Sequence, residues 1–332
     1  MTLSVPGIDP DDPAFVYDEM AYFEENCVEY DLDAAADVVV ERVERRLGDG
    51  RVVSALRWGS EPPRVVLVHG GAQNAHTWDT VALALRPHGV LAVDLPGHGR
   101  SSWRADQAYD PVSNAEALAE ALPPLIQGPA VLVGMSLGGL TAIALAARLP
   151  EVARSVLVDI TPGVDADKAA AVHAFIAGPQ SFPTFGEIFE RTVEFNPTRT
   201  PESLRRGILY NAHRCEDGSW EWNYDRRPLA EHPEGDPAGV VAGLWEAISD
   251  STDPLLLVRG SLSPVVDEAD VAELRRRRRR PRRRGRRRRS QRPGRPTARA
   301  GGAAARRGRR ARLTGPAAPP GRAPRLCPAQ AR

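Results

Sequence analysis

The stretch Ala130-Val131-Leu132-Val133-Gly134-Met135-Ser136-Leu137-Gly138-Gly139-Leu140-Thr141-Ala142 decides the fold. Ala130–Val133 is a short apolar run and reads as a strand, whereas Leu140–Arg148, rich in Ala and Leu, reads as a helix. Only Gly-Met-Ser-Leu-Gly-Gly separates them. A strand that turns directly into a helix brings two backbones together, and glycines at 134 and 138 remove the Cβ atoms that would collide. The turn lifts the Ser136 hydroxyl above the sheet edge. It also sets the Leu137 N–H at a helix N-terminus, where it can stabilise an oxyanion.

Working outward, strands are predicted at Val38–Val43, at Val52–Trp58 after the Gly48-Asp49-Gly50 turn, at Arg64–His69, at Val90–Asp94 and at Ser155–Asp159. The run at 64–69 is apolar without alternation, as expected for a strand buried on both faces. Helices are predicted around Thr77–Leu85 and Ser113–Ile126. Strands alternating with helices call for a mostly parallel α/β sheet covered on both faces. The alternation lapses from Pro162 to Asp253, roughly ninety residues, too long for a plain connection. This segment carries Phe175, Phe182, Phe185, Phe189, Trp220, Trp222 and Trp245 and reads as a helical cap inserted into the sheet domain. Its aromatics read either as the cap's own core or as the lining for an apolar acyl or ring-bearing substrate. The sheet resumes at Leu255–Val258, and Glu268–Leu274 begins a helix. The domain organisation is therefore an acidic N-terminal extension over 1–35, with short helical pieces around Phe15–Asn26, a sheet core over 36–161, a cap over 162–253, a second core piece over 254–274 and a tail over 275–332.

Charge divides the 332-residue chain sharply. The formal net charge of +1 conceals 24 arginines, with no Lys, Asp or Glu, in the last 58 residues. The first 274 residues hold 20 basic against 43 acidic side chains. The tail has no apolar periodicity and cannot bury enough surface to offset its ordering entropy, so disorder is predicted for 275–332. Cys27, Cys215 and Cys327 show neither metal nor disulfide spacing, which fits a reducing compartment. The N-terminus lacks the basic and apolar regions of a secretory signal. With no apolar run long enough to span a bilayer, a cytoplasmic location is expected.

Together His69-Gly70-Gly71, Asp94-Leu95-Pro96-Gly97-His98-Gly99-Arg100-Ser101 and Gly134–Gly139, in this order, resemble the α/β-hydrolase superfamily, in its serine-nucleophile branch with a helical cap. The resemblance covers roughly residues 38–274. It implies an α/β-hydrolase fold and acyl transfer to water from an ester or related carbonyl small molecule, with no metal or organic cofactor. Ser136 would attack the carbonyl, a base would take its proton, and water would release the acyl group. Serine at 136 disfavours epoxide and halide chemistries, whose relatives carry aspartate there. The N–H groups of Gly71 and Leu137 would form the oxyanion hole, with Ala72 in reserve. His69 is read as orienting its loop and His98 as a solvated turn histidine. Many relatives place the triad acid at the position occupied here by Ser263. Others place it at the end of the strand after the elbow helix, which gives Asp159 as the favoured acid, ahead of Asp267 and Asp270.

The expected base is missing. The family histidine lies downstream of Leu274, yet the seven histidines, His69, His76, His88, His98, His173, His213 and His232, all precede it. The Arg-rich text begins where the last strand, histidine loop and closing helix should follow. Lys168 is the sole lysine among 44 basic residues, a sign of GC-rich coding, and GC-rich DNA read out of frame yields mostly Arg, Pro, Ala and Gly. A reading-frame change near Leu274–Arg280 accounts for both facts. The alternatives are a carbon–carbon bond hydrolase or cofactor-free perhydrolase using the same residues, a non-catalytic binding protein, and a nucleic-acid-associated protein binding phosphates non-specifically through the tail.

Overall fold

The computed structural model describes residues 7–35, 38–164, 168, 178–226 and 236–278. Its main sheet comprises β1 (Val40–Arg46), β2 (Val52–Trp58), β3 (Val65–Val68), β4 (Val90–Val93), β5 (Ala130–Met135), β6 (Val152–Val158) and β10 (Leu255–Val258), in the order β1-β2-β4-β3-β5-β6-β10. Strands β1 and β2 pair antiparallel, as do β2 and β4, and every later pairing is parallel. The expected mostly parallel sheet is thus present. Leu56, Leu67, Leu91 and Leu132 are fully buried in it, each contributing about 1.5–3 kcal/mol of apolar burial.

Two layers cover the sheet. On one face lie α3 (Pro111–Ala121), α4 (Leu137–Ala146), α7 (Pro237–Asp250) and Leu274 of α8 (Glu268–Arg278). On the other lie α1 (Phe23–Glu29), a 3₁₀ turn at Ala75–Trp78 and α2 (Asp79–Ala84), packed on Leu56, Trp58 and Leu67. Among the described residues the second layer stops short of the β10 end. Val133, Met135 and Val158 are only partly buried, and Leu256 and Val258 of the edge strand are 50% and 45% exposed.

The cap differs from expectation in two ways. It is not wholly helical: beside α5 (Phe185–Phe195) and α6 (Pro201–Asn211) it contains a small antiparallel sheet of β7 (Ser181–Phe182), β9 (Trp220–Trp222) and β8 (Ala212–Arg214). It also ends before residue 253, because α7 packs Leu244, Trp245 and Ile248 into the main core and serves as the crossover helix ahead of β10. Phe182, Phe185, Phe189, Trp220 and Trp222 form the cap's own core, and Trp245 belongs to the sheet domain, so these aromatics are packing residues. Phe175 lies outside the described residues.

The N-terminal extension is a strap between cap and core. Asp11 accepts from the Phe185 N–H (2.7 Å) and from Trp220 Nε1 (2.7 Å), while Arg206 of α6 pairs with Glu25 and Glu29. Glu19 pairs with Arg42 of β1 (2.6 Å) and Arg100 (2.9 Å).

The tail boundary also moves. Residues 275–278, assigned to the disordered tail, form the last turn of α8. Glu273 pairs with Arg276 and Arg277, and Arg278 donates to the Ser251 and Asp253 carbonyls beyond α7. Arg278 thus satisfies carbonyls that follow a helix end. The remainder of the tail lies outside the described residues.

Candidate active site

The sheet's parallel register brings the sequence-predicted residues to one edge. Met135 is the partner of Val158, and Val68 is the partner of Gly134 and Val93. Ser136, Asp159, His69 and Asp94 each follow immediately, so all four stand at the carboxyl ends of neighbouring strands, where open α/β sheets bind ligands.

Ser136 occupies the elbow. Its φ is +50° with ψ −123°, a conformation that costs a non-glycine residue about 1–3 kcal/mol and persists only when its surroundings enforce it. The enforcement is steric. A methyl on Gly134 would lie 2.2 Å from the Gly138 carbonyl oxygen, and one on Gly138 would lie 2.3 Å from the carbonyl oxygens of Val68 and His69. Both glycines are needed for space. Leu137 is the first residue of α4, so its N–H belongs to the helix N-terminus.

The loop after β3 approaches Ser136 closely: a methyl on Gly70 would lie 3.2 Å from Ser136 Cβ. Its peptides are anchored one by one. The Gly70 N–H donates to Gln73 Oε1 (2.9 Å), and the Gly70 carbonyl accepts from His69 Nδ1 (2.7 Å). The Ala72 N–H donates to His98 Nε2 (3.1 Å). That contact removes Ala72 from the reserve of oxyanion donors. Among the described residues the Gly71 N–H has no acceptor. It lies on the same peptide as the Gly70 carbonyl, and a trans peptide points these groups in opposite directions. The hold of His69 on that carbonyl therefore aims the Gly71 N–H.

The two histidines of the site are committed to backbone. His69 Nε2 accepts from the Leu95 N–H (2.9 Å), which leaves the proton on Nδ1. Burial, reinforced by His98, pushes its pKa down to about 3. His98 donates from Nδ1 to the Pro96 carbonyl (3.0 Å) and accepts at Nε2. It is 7% exposed and faces Tyr224 of the cap, not solvent as expected, and burial lowers its pKa too. The turn buries it by wrapping over Asp94. That carboxylate pairs with Arg42 (2.8 Å) and accepts from the Ala75 and Arg100 N–H groups. Burial favours its neutral form, but Arg42 and these donors outweigh burial and hold its pKa below the usual range.

Asp159 stands just past β6 with φ +52°. Its Oδ2 accepts from Ser263 Oγ (2.6 Å) and its Oδ1 from the Gly260 N–H (3.3 Å). The Ser263 hydroxyl in turn accepts from the Val265 and Val266 N–H groups. The two alternative acid positions thus touch. Asp267 and Asp270 bind Lys168 (2.9 Å each), and Asp270 also accepts from the Asp267 N–H, an arrangement that starts α8.

Sequence reading missed Gln73, whose role depends on a loop that folds back three residues, and Asn211 of the cap, for which no sequence signal exists. Among the described residues, the group of metal-ligating types is His213, Cys215 and Glu221. Cys327 lies outside the described residues. Cys27 is a free, buried thiol. His173 and His232 lie outside the described residues. No described helix is long and apolar enough to cross a membrane.

A model of the alpha/beta hydrolase family matches residues 65–290. The chain is 43% identical over 272 residues to the esterase Rv0045c of Mycobacterium tuberculosis, covering 80% of this chain and 86% of that protein. A solved structure of that esterase superposes with a TM-score of 0.68, covering 79% of this chain and 88% of that one. The 2-(acetamidomethylene)succinate hydrolase of Mesorhizobium japonicum is 29% identical over 248 residues, 73% of this chain and 86% of its own length.

Proposed function

Because the chain belongs to the alpha/beta hydrolase family, we propose that it is a carboxylic-ester hydrolase by site and scaffold whose triad base is absent. The observation that carries this reading is the strained elbow, with Ser136 at φ +50° and the loop at Gly70 packed against it. Ser136 Oγ attacks the ester carbonyl carbon, and the carbonyl oxygen, as it gains charge, moves between the Gly71 and Leu137 N–H groups. In a chain that has its base, the base would take the Ser136 proton and return it to the alcohol as the tetrahedral intermediate collapses, leaving an acyl-serine for water to hydrolyse. Asp159 is the acid that would orient the base. The mycobacterial relative is an esterase, which supports this substrate class over carbon–carbon and peroxy chemistry.

No histidine follows His232. Neither His69 nor His98 can accept the Ser136 proton without giving up a backbone N–H. We attribute the missing base to a reading-frame change near Leu274–Arg280. The half-exposed β10 edge and the partly buried sheet face beside it, where the family would continue with a strand and a helix, support it. Without its base, a serine hydrolase loses about 10⁴–10⁶ in kcat and keeps the binding contributed by its oxyanion donors. The test compares p-nitrophenyl butyrate turnover by this chain, by Ser136→Ala and by a frame-restored chain. Turnover near the Ser136→Ala level is expected, with recovery on restoration. Robust turnover by the present chain that Ser136→Ala abolishes would overturn the missing-base reading.

A further inference from the structure

We propose that Asn211, the last residue of cap helix α6, is a positioning residue of the oxyanion hole, building the cap into the geometry of the Gly71 donor. The proposal rests on the serine-hydrolase reading above. Asn211 Nδ2 donates to the Ala72 carbonyl (2.7 Å). Ala72 is held at φ +60°, in the left-handed region that alanine rarely adopts, between this bond and the one from its own N–H to His98. A strained residue keeps its conformation only while both sides hold it. Of those two holds, the one on the carbonyl comes from the cap.

The contact is reciprocal. Asn74 Nδ2 donates to the Tyr210 carbonyl (2.9 Å) and to Asn211 Oδ1 (3.1 Å), while Asn74 Oδ1 accepts from the His76 N–H (2.9 Å). The Asn211 carbonyl accepts from the Asn223 N–H (2.7 Å), which ties the helix end to the residue after β9. Two amide side chains thus join the loop of residues 70–74 to the end of α6 and the cap sheet. Of the peptides between His69 and Gln73, three are anchored by core side chains, Gln73, His69 and His98, and the fourth by Asn211. Release of the fourth lets Ala72 relax to negative φ and swings the neighbouring Gly71 N–H away from Ser136. Seating of the cap is in this way coupled to the oxyanion hole.

The test uses butylboronic acid. Ser136 Oγ bonds to its boron, the hydroxyl proton leaves to solvent, and one oxygen of the resulting tetrahedral anion lies where the oxyanion forms, so no triad base is required. Calorimetric affinities are compared for the parent, Ser136→Ala, Asn211→Asp and Asn211→Ala, together with the Gly71 amide shift in glycine-¹⁵N-labelled protein. Asn211→Asp keeps the acceptor for Asn74 and loses only the donor to Ala72. Asn211→Ala leaves no buried charge and serves if the aspartate variant folds poorly. Removal of an oxyanion donor costs about 10²–10³, and misaiming one is expected to weaken boronate binding tenfold or more, with the Gly71 resonance displaced and the unfolding temperature little changed. Parent-like affinity and an unmoved Gly71 resonance in a folded Asn211 variant would overturn the positioning role while leaving the serine reading intact. Absence of boronate binding by the parent would overturn both.

Discussion

Gly138→Ala puts the steric account of the elbow at risk. The added methyl would sit 2.3 Å from two backbone carbonyl oxygens, those of Val68 and His69. Carbon and oxygen come no closer than about 3.3 Å even in weak hydrogen bonds, so the start of α4 and the end of β3 must separate by about 1 Å. Neither has slack. β3 lies between β4 and β5 in the middle of the sheet, and the obstructing atoms are main chain, not the tip of a side chain that could rotate away. Overpacked cores lose typically 1–3 kcal/mol, and the rigidity here places this substitution at the upper end, about 3 kcal/mol. For a domain of this size that corresponds to a fall in Tm of about 6–12 °C. The same 1 Å displaces the Leu137 N–H relative to the Gly71 loop, and misplacement of that size costs about 10²-fold in transition-state complementarity, readable as lost boronate affinity. Thermal melting by circular dichroism decides the first part. A Tm within 2 °C of the parent would refute the claim that Gly138 is required for space.

Three other outcomes are expected. Gly243, inside α7, has nothing within 4 Å of an added methyl, so Gly243→Ala should stabilise by about 0.4–1 kcal/mol through helix propensity and unfolded-state entropy, and an unchanged or lower Tm would contradict this. His76 is buried with Nδ1 facing Asp79 (2.8 Å) and Nε2 facing Glu19 (3.2 Å). Burial opposes its charge, but these partners outweigh it and raise its pKa above 6.5. Its stabilisation is therefore complete below pH 6.5 and lost as pH rises through the raised folded value, so Tm should fall as pH rises above 6.5 in the parent and not in His76→Gln; parallel profiles would be the contrary result. Leu256→Lys, at a half-exposed edge position, should change stability by no more than about 0.5 kcal/mol yet reduce light scattering on concentration, because charge blocks edge-to-edge pairing.

The main sheet was readable because its central strands are unbroken runs of Val and Leu, as at Val65–Val68 and Ala130–Val133, bounded by glycine and polar residues. The elbow was readable for a different reason, since its glycines answer a local steric demand. What escaped reading depends on distance in space. The pattern of α7 marks an apolar face without saying whether cap or sheet receives it, and Trp245 turned out to face the sheet domain. The cap strands are two or three residues long, too short for alternation to show. Asp11 and Glu19 read as an acidic extension because their partners, Trp220 and Arg42, lie far along the chain. His98 looked solvated because a Gly-rich turn is usually exposed, whereas Tyr224 closes over this one.

The short hydrogen bond between Ser263 and Asp159 bears on how such enzymes diverge. The side chains at the two positions that the family resemblance offers for the acid, Ser263 and Asp159, meet here in one hydrogen bond of 2.6 Å. Relocating the carboxylate from one strand to the other is then a two-step exchange across one hydrogen bond. Serine 263 can become aspartate while Asp159 remains, the two carboxyls sharing one proton as close acidic pairs do. Asp159 can afterwards be lost. With Asp159 as the proposed acid, such an exchange would keep a carboxylate at the site at every step.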